Sequence, residues 1–290
     1  MLLLQLLVDG IQVGALYALM AVGFAIIFGS TKVFHYSHGA IFVFAGYCFL
    51  YCLQDLMWPW WVAALCTCAA VILLGIGMER FMYRPIQRDR GSFFTVFVAS
   101  FGASIVIENV IAIAFGTGLM SVATPLSQAQ PVIGSLSVSW LGVISIVMTL
   151  ALFAALSWFF QKTDMGILLH ALSESPELVS SFGFSRNRAA AFAFALGSVM
   201  VVPAAIVLIC MTGIMPSSGH RVMLISLAAT IIGGIGSLRG AGIGAFILGV
   251  AESLSFWKLP TGWGDAVSFV ILLAFILLRP SGLLGLKVRV

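Results

Sequence analysis

Residues 162–188, KTDMGILLHALSESPELVSSFGFSRNR, form the one long polar interval between hydrophobic runs that also carries charge. The interval holds three of the ten acidic and three of the fourteen basic residues. Ser175 can cap a short helix, Pro176 suits the first helical position, Glu177 favours the positive N-terminal end, and Gly183 can end it. Leu178, Val179 and Phe182 then share a face, an apolar stripe with no bilayer around it. A helix this short is not stable alone, so tertiary or partner contact must hold it. Packing on its own protein and docking to a cytosolic partner both meet that need. The rest of the chain decides between them.

Composition fixes the class. Hydrophobic residues are 61% of the 290 and charged residues only 8%, against roughly 25% charged in a soluble domain. Apolar runs long enough to cross ~30 Å of hydrocarbon recur along the chain. An all-α, polytopic integral membrane protein follows, one domain over 1–290 with eight or nine transmembrane helices, some short and glycine-rich. The net charge of +4 reflects loop bias and not nucleic-acid binding. No basic segment precedes the first apolar run, so Met1 onward reads as a span and not as a removed signal. The five cysteines (48, 52, 66, 68 and 210) all sit in apolar runs and read as small buried hydrophobes.

Outward from the charged interval, the basic residues assign sides. The first span covers about Asp9 to Phe28, with Gly10, Gly14 and Ala18 on one smooth face for close helix packing. A polar break, Gly29 to Gly39, precedes a second span to about Gln54. The tryptophans of Met57 to Trp61 mark an interface. A third span ends at Met78, before a loop carrying Arg80, Arg84, Arg88 and Arg90, which the positive-inside rule makes cytoplasmic. The fourth span runs from about Phe93 to Phe115. Gly116 to Ser139 lacks any Lys or Arg and reads as external. The fifth span, Trp140 to Phe160, returns the chain inside at Lys162, which favours docking for the helix at 176–182. A sixth span, Ala189 to Met211, ends in an external turn to about Arg221. Met223 to Gly249 is apolar, with a cytoplasmic bend at Ser237 to Arg239. There Gly236, Gly240 and Gly244 recur every four residues and read as a close-packing face. A last span from about Asp265 to Leu278 leaves the C-terminus inside. Nine crossings with an external N-terminus result, or eight with an internal one if 29–39 folds back within the membrane. Thr117–Met120 echoes Thr212–Met215, which hints at an internal repeat.

The polar residues exclude several chemistries. His35 and His38 have no Cys, Asp or Glu beside them and make a poor metal site, so they read as hydrogen-bonding the break; no metal or cofactor is expected. Gly262–Asp265 matches the GxGD of intramembrane aspartyl proteases, but no second membrane-embedded aspartate exists for that reaction. No Gly-Lys dipeptide occurs, so the chain has no phosphate-binding P-loop. It is not expected to be an enzyme. Glu108 and Glu252 lie within spans and invite a functional reading, such as ion coupling in a secondary carrier. With no paired intramembrane base in view, a hydrogen-bonded acid holding helices together is the stronger reading. Depth and polarity nominate Tyr17, Ser104, Glu108 and Asn109 for a central pathway.

Ordered blocks along nearly the whole length carry a family resemblance. They are Gly14-Ala-Leu-Tyr-Ala-Leu19, Phe34-His-Tyr-Ser-His-Gly39, Tyr83-Arg-Pro85, Met165-Gly166 through Gly183, Gly233-Gly-Ile-Gly-Ser237 with Gly240-Ala241 and Glu252, and Arg279-Pro-Ser-Gly-Leu283. The chain resembles the LivH-type permease subunits of ABC importers for branched-chain amino acids. His170 departs from the family's Arg, Ser175 from its Asp, and Phe34-His35 from its Asn-containing break. The resemblance implies a bacterial inner-membrane subunit for branched-chain or other neutral amino acids, with urea or short amides as alternatives. It implies a second, homologous permease, two cytosolic ATPase subunits and an external solute-binding protein. It also makes 162–188 the ATPase-coupling segment, with Glu174, Glu177, Leu178, Val179, Phe182 and Gly183 as its contact residues.

Overall fold

A thirty-residue helix, α1 (Leu2–Thr31), is the axis on which the other elements are hung. The computed structural model describes residues 2–89, 91–133, 136–174, 179, 183–279 and 281–285, with the side chains of 132, 133, 174 and 261 excepted. From Gly14 to Ile27 every residue of α1 is buried. The small residues explain how neighbours come so close. A β-carbon on Gly10 would meet Val250 Cα at 2.8 Å, and one on Gly14 would meet Phe246 Cα at 3.0 Å. Helices in lipid gain little from hydrophobic exclusion, so such backbone contact supplies the attraction.

After Lys32, in the left-handed region at φ 57°, the chain crosses a short break and enters α2 (His38–Leu50), which ends in a wide π-type turn, Tyr51–Asp55. Next come α3 (Trp60–Met78), a second wide turn, Glu79–Tyr83, and α4 (Arg84–Arg88). The arginine-bearing loop expected after Met78 is therefore mostly helix, continuing to Arg88. Glu79 explains why: it pairs with Arg84 at 2.7 Å one turn on.

The remaining helices are α5 (Phe93–Phe115), α6 (Trp140–Lys162), α7 (Asp164–Glu174), α8 (Arg186–Met211), α9 (Ser218–Gly233), α10 (Leu238–Ser255) and α11 (Gly264–Leu278). A serine opens four of them. Ser92, Ser139, Ser185 and Ser237 each accept a hydrogen bond from the backbone N–H three residues on, satisfying a donor that the helix leaves free. Between α5 and α6 a small antiparallel hairpin, β1 (Ala129–Ile133) with β2 (Leu136–Ser139), departs from a purely helical chain. The Gln5 amide grips Ser137 at both its N–H and its carbonyl, each at 2.9 Å. The start of α1 thus lies on the hairpin side.

Among the described residues six helical runs are long and apolar enough to cross a membrane: α1, Trp60–Arg88, α5, α6, α8 and α10. The shorter α9 and α11 are apolar as well. α5 and α6 turn most of their side chains outward, including Val106, Ile113, Val147 and Trp158. The protein is an all-α membrane protein with this one hairpin added.

The glycine face expected at 236, 240 and 244 divides. Gly240 lies against the Gly233 backbone, and Gly244 against the Ala229 carbonyl, where α9 and α10 cross. Gly236 does neither. It has φ +90°, nothing within 4 Å of where a β-carbon would stand, and a place in the bend before α10. A four-residue spacing means one face only inside a continuous helix, and here the helix begins at Leu238.

Candidate functional site

Two helices begin inside the protein, and the site is built where they meet. The N-terminal turns of α2 and α9 touch backbone to backbone at Gly39 and Gly219. Each N-terminus carries partial positive charge and unpaired N–H groups, so two such ends call for an acid. Glu108 of α5 supplies it. A β-carbon on Gly219 would come within 2.6 Å of Glu108 Oε1, and Oε2 lies 3.1 Å from His220 Nε2. Oε1 is buried with no hydrogen-bond partner among the described residues. Tyr36, stacked edge-on against Phe97 and Phe101, brings its hydroxyl to 3.4 Å from His220 Nδ1.

The neighbouring residue, Arg221, serves a second acid cluster. Its Nη2 donates to Glu252 Oε1 at 2.6 Å, and its Nε to Asp265 Oδ1 at 2.7 Å. Tyr17 donates to the other oxygen of Glu252 at 2.8 Å. Four helices are joined at one guanidinium: α1 through Tyr17, α9 through Arg221, α10 through Glu252 and α11 through Asp265. Glu252 is buried, while the side chains of Arg221 and Asp265 are half exposed, at 52% and 53%. They open on a groove between α9 and α11.

The break before α2 is held separately. His35 Nδ1 lies 2.7 Å from the Tyr83 hydroxyl, which lies 2.7 Å from Ser100 Oγ. His38 Nε2 lies 3.0 Å from the Met20 carbonyl oxygen. Both histidines are wholly buried; His38 binds the break to α1 and His35 to the turn after α3, while Ser37 binds it to Ser100 of α5. Among the described residues no group of three metal-ligating side chains occurs.

Of the four pathway candidates, Tyr17 and Glu108 belong to the two acid clusters, one each. Ser104 is buried one turn before Glu108 on α5, with its hydroxyl donated to the Phe101 carbonyl. Asn109 faces outward and donates to the Ile105 carbonyl, because successive helical residues diverge by about 100° and only one of them can follow Glu108 inward. His220, Arg221 and Asp265 were not among the candidates. A sequence signal for the first two exists: a His-Arg pair immediately before an apolar run, after Ser-Ser-Gly, is the start of a helix and not the middle of an external turn. With Arg221 on Glu252, the premise that no intramembrane base accompanies the acids is overturned.

In the charged interval, Glu177, Leu178 and Phe182 lie outside the described residues, as does the side chain of Glu174. Val179 is 4% exposed and packs with Leu169, Leu172, Ala189 and Ala193, so its side chain is used within the chain's own cluster. Gly183, at φ +82°, follows it, and Phe184 N–H donates to the Val179 carbonyl at 3.2 Å.

Helices whose N-termini meet inside a membrane bundle, with charge at the junction, are a feature of many transporter folds. Residues 6–276 match the family described as the permease component of branched-chain amino acid transport systems, and the chain belongs to that family. The high-affinity branched-chain amino acid transport system permease protein LivH of Salmonella typhimurium is 30% identical over 97% of this chain and 95% of its own length. BraD of Pseudomonas aeruginosa, a permease of the same description, is 25% identical over the same shares. A chain of PsaBC from Streptococcus pneumoniae, solved in complex with Fab, aligns over 97% of this chain and 91% of its own, at 13% identity and a TM-score of 0.48.

Proposed function

We propose that this chain is one membrane subunit of an ATP-driven importer, forming a single permease domain over 1–290 and moving branched-chain or other neutral amino acids inward. Its family membership supports the class of solute. Its partners are then a second, homologous permease, two cytosolic ATPase subunits and an external solute-binding protein. The observation that carries the reading is the half-exposed Arg221–Asp265 pair beside buried Glu252. Ionised groups at depth in a membrane protein face a water path or another protein and not lipid. The groove between α9 and α11 is therefore the face that meets the second permease and lines the route. Glu252 is held by Arg221 and Tyr17, which leaves it no role as the coupling site of an ion-driven carrier.

The coupling segment is 162–188, where Glu174, Glu177, Leu178, Phe182 and Gly183 meet the ATPase while Val179 anchors the segment to α7 and α8. Reconstitution tests both parts of this reading. Proteoliposomes holding the two permeases and two ATPases are expected to accumulate leucine when ATP is enclosed and the loaded binding protein is outside. An ion gradient alone is expected to drive none. Phe182→Asp should abolish uptake and reduce co-purification of the ATPases severalfold, because burying a Phe side chain is worth roughly 1.5–3 kcal/mol. Uptake driven by a gradient without ATP would refute the importer reading; undiminished co-purification would refute this coupling surface.

Nine crossings, an external N-terminus and a cytoplasmic C-terminus in a bacterial inner membrane are the topology that goes with this reading. The Gln5–Ser137 clasp supports it, since it ties the start of α1 to the segment that has no basic residue. On a cysteine-free background, Gln128→Cys should react with an impermeant maleimide from outside and Arg88→Cys should not. The opposite pattern would invert the topology.

A further inference from the structure

The groove between α9 and α11 has a volume of about 250 Å³. Toward the start of the two helices Ser217, His220, Arg221 and Asp265 line a polar half. Leu224, Ile225, Ala228, Ser268 and Phe269, further along, line a mostly apolar half. Ser268 is 5% exposed, and its hydroxyl has no hydrogen-bond partner among the described residues. A buried hydroxyl without a partner is costly unless a ligand or water completes it. Arg221 commits Nε and Nη2, while Nη1 makes no hydrogen bond among the described residues. Asp265 offers a half-exposed carboxylate to the same space.

We propose that this groove is a binding site for a neutral α-amino acid in transit, with Arg221 taking its carboxylate, Asp265 its ammonium and the Leu224–Phe269 side its aliphatic chain. The proposal rests on the importer reading and adds the residues that recognise the solute. Its logic is charge matching. A zwitterion brings one charge of each sign to a guanidinium and a carboxylate already 2.7 Å apart, so neither protein group is left unpaired when the solute wedges between them. A urea or amide could hydrogen-bond there but would separate the pair without replacing its charge. The aliphatic chain then lies along one face of α9, where 221, 224, 225 and 228 follow at helical spacing.

The test is photolabelling of the purified permease–ATPase complex in lipid nanodiscs, using a leucine analogue with a diazirine in its side chain. Label is expected on residues 217–228 and 265–269. Excess leucine should compete it away, whereas 4-methylpentanoate, which lacks the ammonium, and isopentylamine, which lacks the carboxylate, should not. Asp265→Asn keeps the Arg221–Glu252 pair and should lower labelling about tenfold, the usual scale for losing a charge-assisted hydrogen bond. Ala228→Phe, which fills the apolar half, should do the same with the charges untouched. Label elsewhere or absent, wild-type labelling in either variant, or competition by either analogue as strong as that by leucine overturns the site. ATP-driven leucine uptake by the same wild-type complex is measured in parallel. Uptake without groove labelling removes this site and keeps the importer; absence of uptake removes the importer reading itself.

Discussion

Arg221→Gln should cut the accumulation of folded protein several-fold. Glu252 is buried, with one oxygen on Arg221 and the other on Tyr17. Without the guanidinium its charge has a single phenolic donor, and Asp265 on α11 loses its partner as well. Stranding a buried charge in a fully buried pair costs about 3–5 kcal/mol; with Arg221 half exposed the cost is smaller, yet still a sizeable share of the ~5–15 kcal/mol by which proteins are stable. The expected outcome is a several-fold loss of monodisperse protein in detergent and a lower Tm. Arg221→Gln combined with Glu252→Gln should recover most of that loss, because a pair of neutral amides can hydrogen-bond with neither charge stranded. A single variant as stable as the wild type would mean that Arg221 does not hold α1, α10 and α11 together. The double variant separates the two duties of this arginine, since regained folding without regained uptake assigns it to the solute as well as to the scaffold.

The arginine also marks where sequence reading stops. Membrane spans could be read because lipid demands long apolar runs with their backbone bonds satisfied internally, and α3, α5, α6 and α8 lie close to their expected limits, while α1 starts at Leu2, seven residues before the expected Asp9. The stripe of Gly10, Gly14 and Ala18 likewise predicted close contact, since only small residues permit it. Residues 212–221 were harder. A short polar stretch between apolar runs looks the same whether it turns in water or dips into the bundle, and charge counting assigns it to the outside. What ties Arg221 into the bundle is Glu252, thirty-one positions away, and Tyr17, more than two hundred away. Neither distance leaves a trace in local periodicity. Gly236 failed for the complementary reason: its spacing to Gly240 was right, but the helix had not yet begun.

The echo between Thr117–Met120 and Thr212–Met215 has a spatial meaning that spacing could not give. Met120 and Ile214 exchange two backbone hydrogen bonds, at 3.0 and 2.8 Å. The segment leading out of α5 is thereby stitched to the one leading into α9. That stitch, together with the Tyr47 hydroxyl on the Ile214 carbonyl at 3.2 Å, fixes the approach to the turn that delivers His220 and Arg221. The two acid clusters are thus placed by the same short connection, and a shift of α9 would disturb both at once.

The junction of α2 and α9 yields the other large effect. A β-carbon on Gly39 would run into the carbonyl oxygen of Gly219, and backbone cannot move aside as a side chain can. Gly39→Val should therefore abolish accumulation of folded protein, and Gly39→Ala should reduce it strongly, beyond the ~1–3 kcal/mol usual for overpacking. Gly219→Ala differs in kind. Its nearest obstruction is Glu108 Oε1 at 2.6 Å, the far end of a flexible side chain, with the Gly39 backbone next at 3.0 Å. It should be the milder change, and its first consequence should be a displaced Glu108 and a broken contact with His220. Adding Glu108→Ala to Gly219→Ala should then recover stability, whereas adding it to Gly39→Ala should recover none. Thermal melts of the five variants in detergent decide the matter: if Gly39→Val melts at the wild-type temperature, the two helix ends do not meet as described, and the acid at Glu108 has no pair of positive termini to serve.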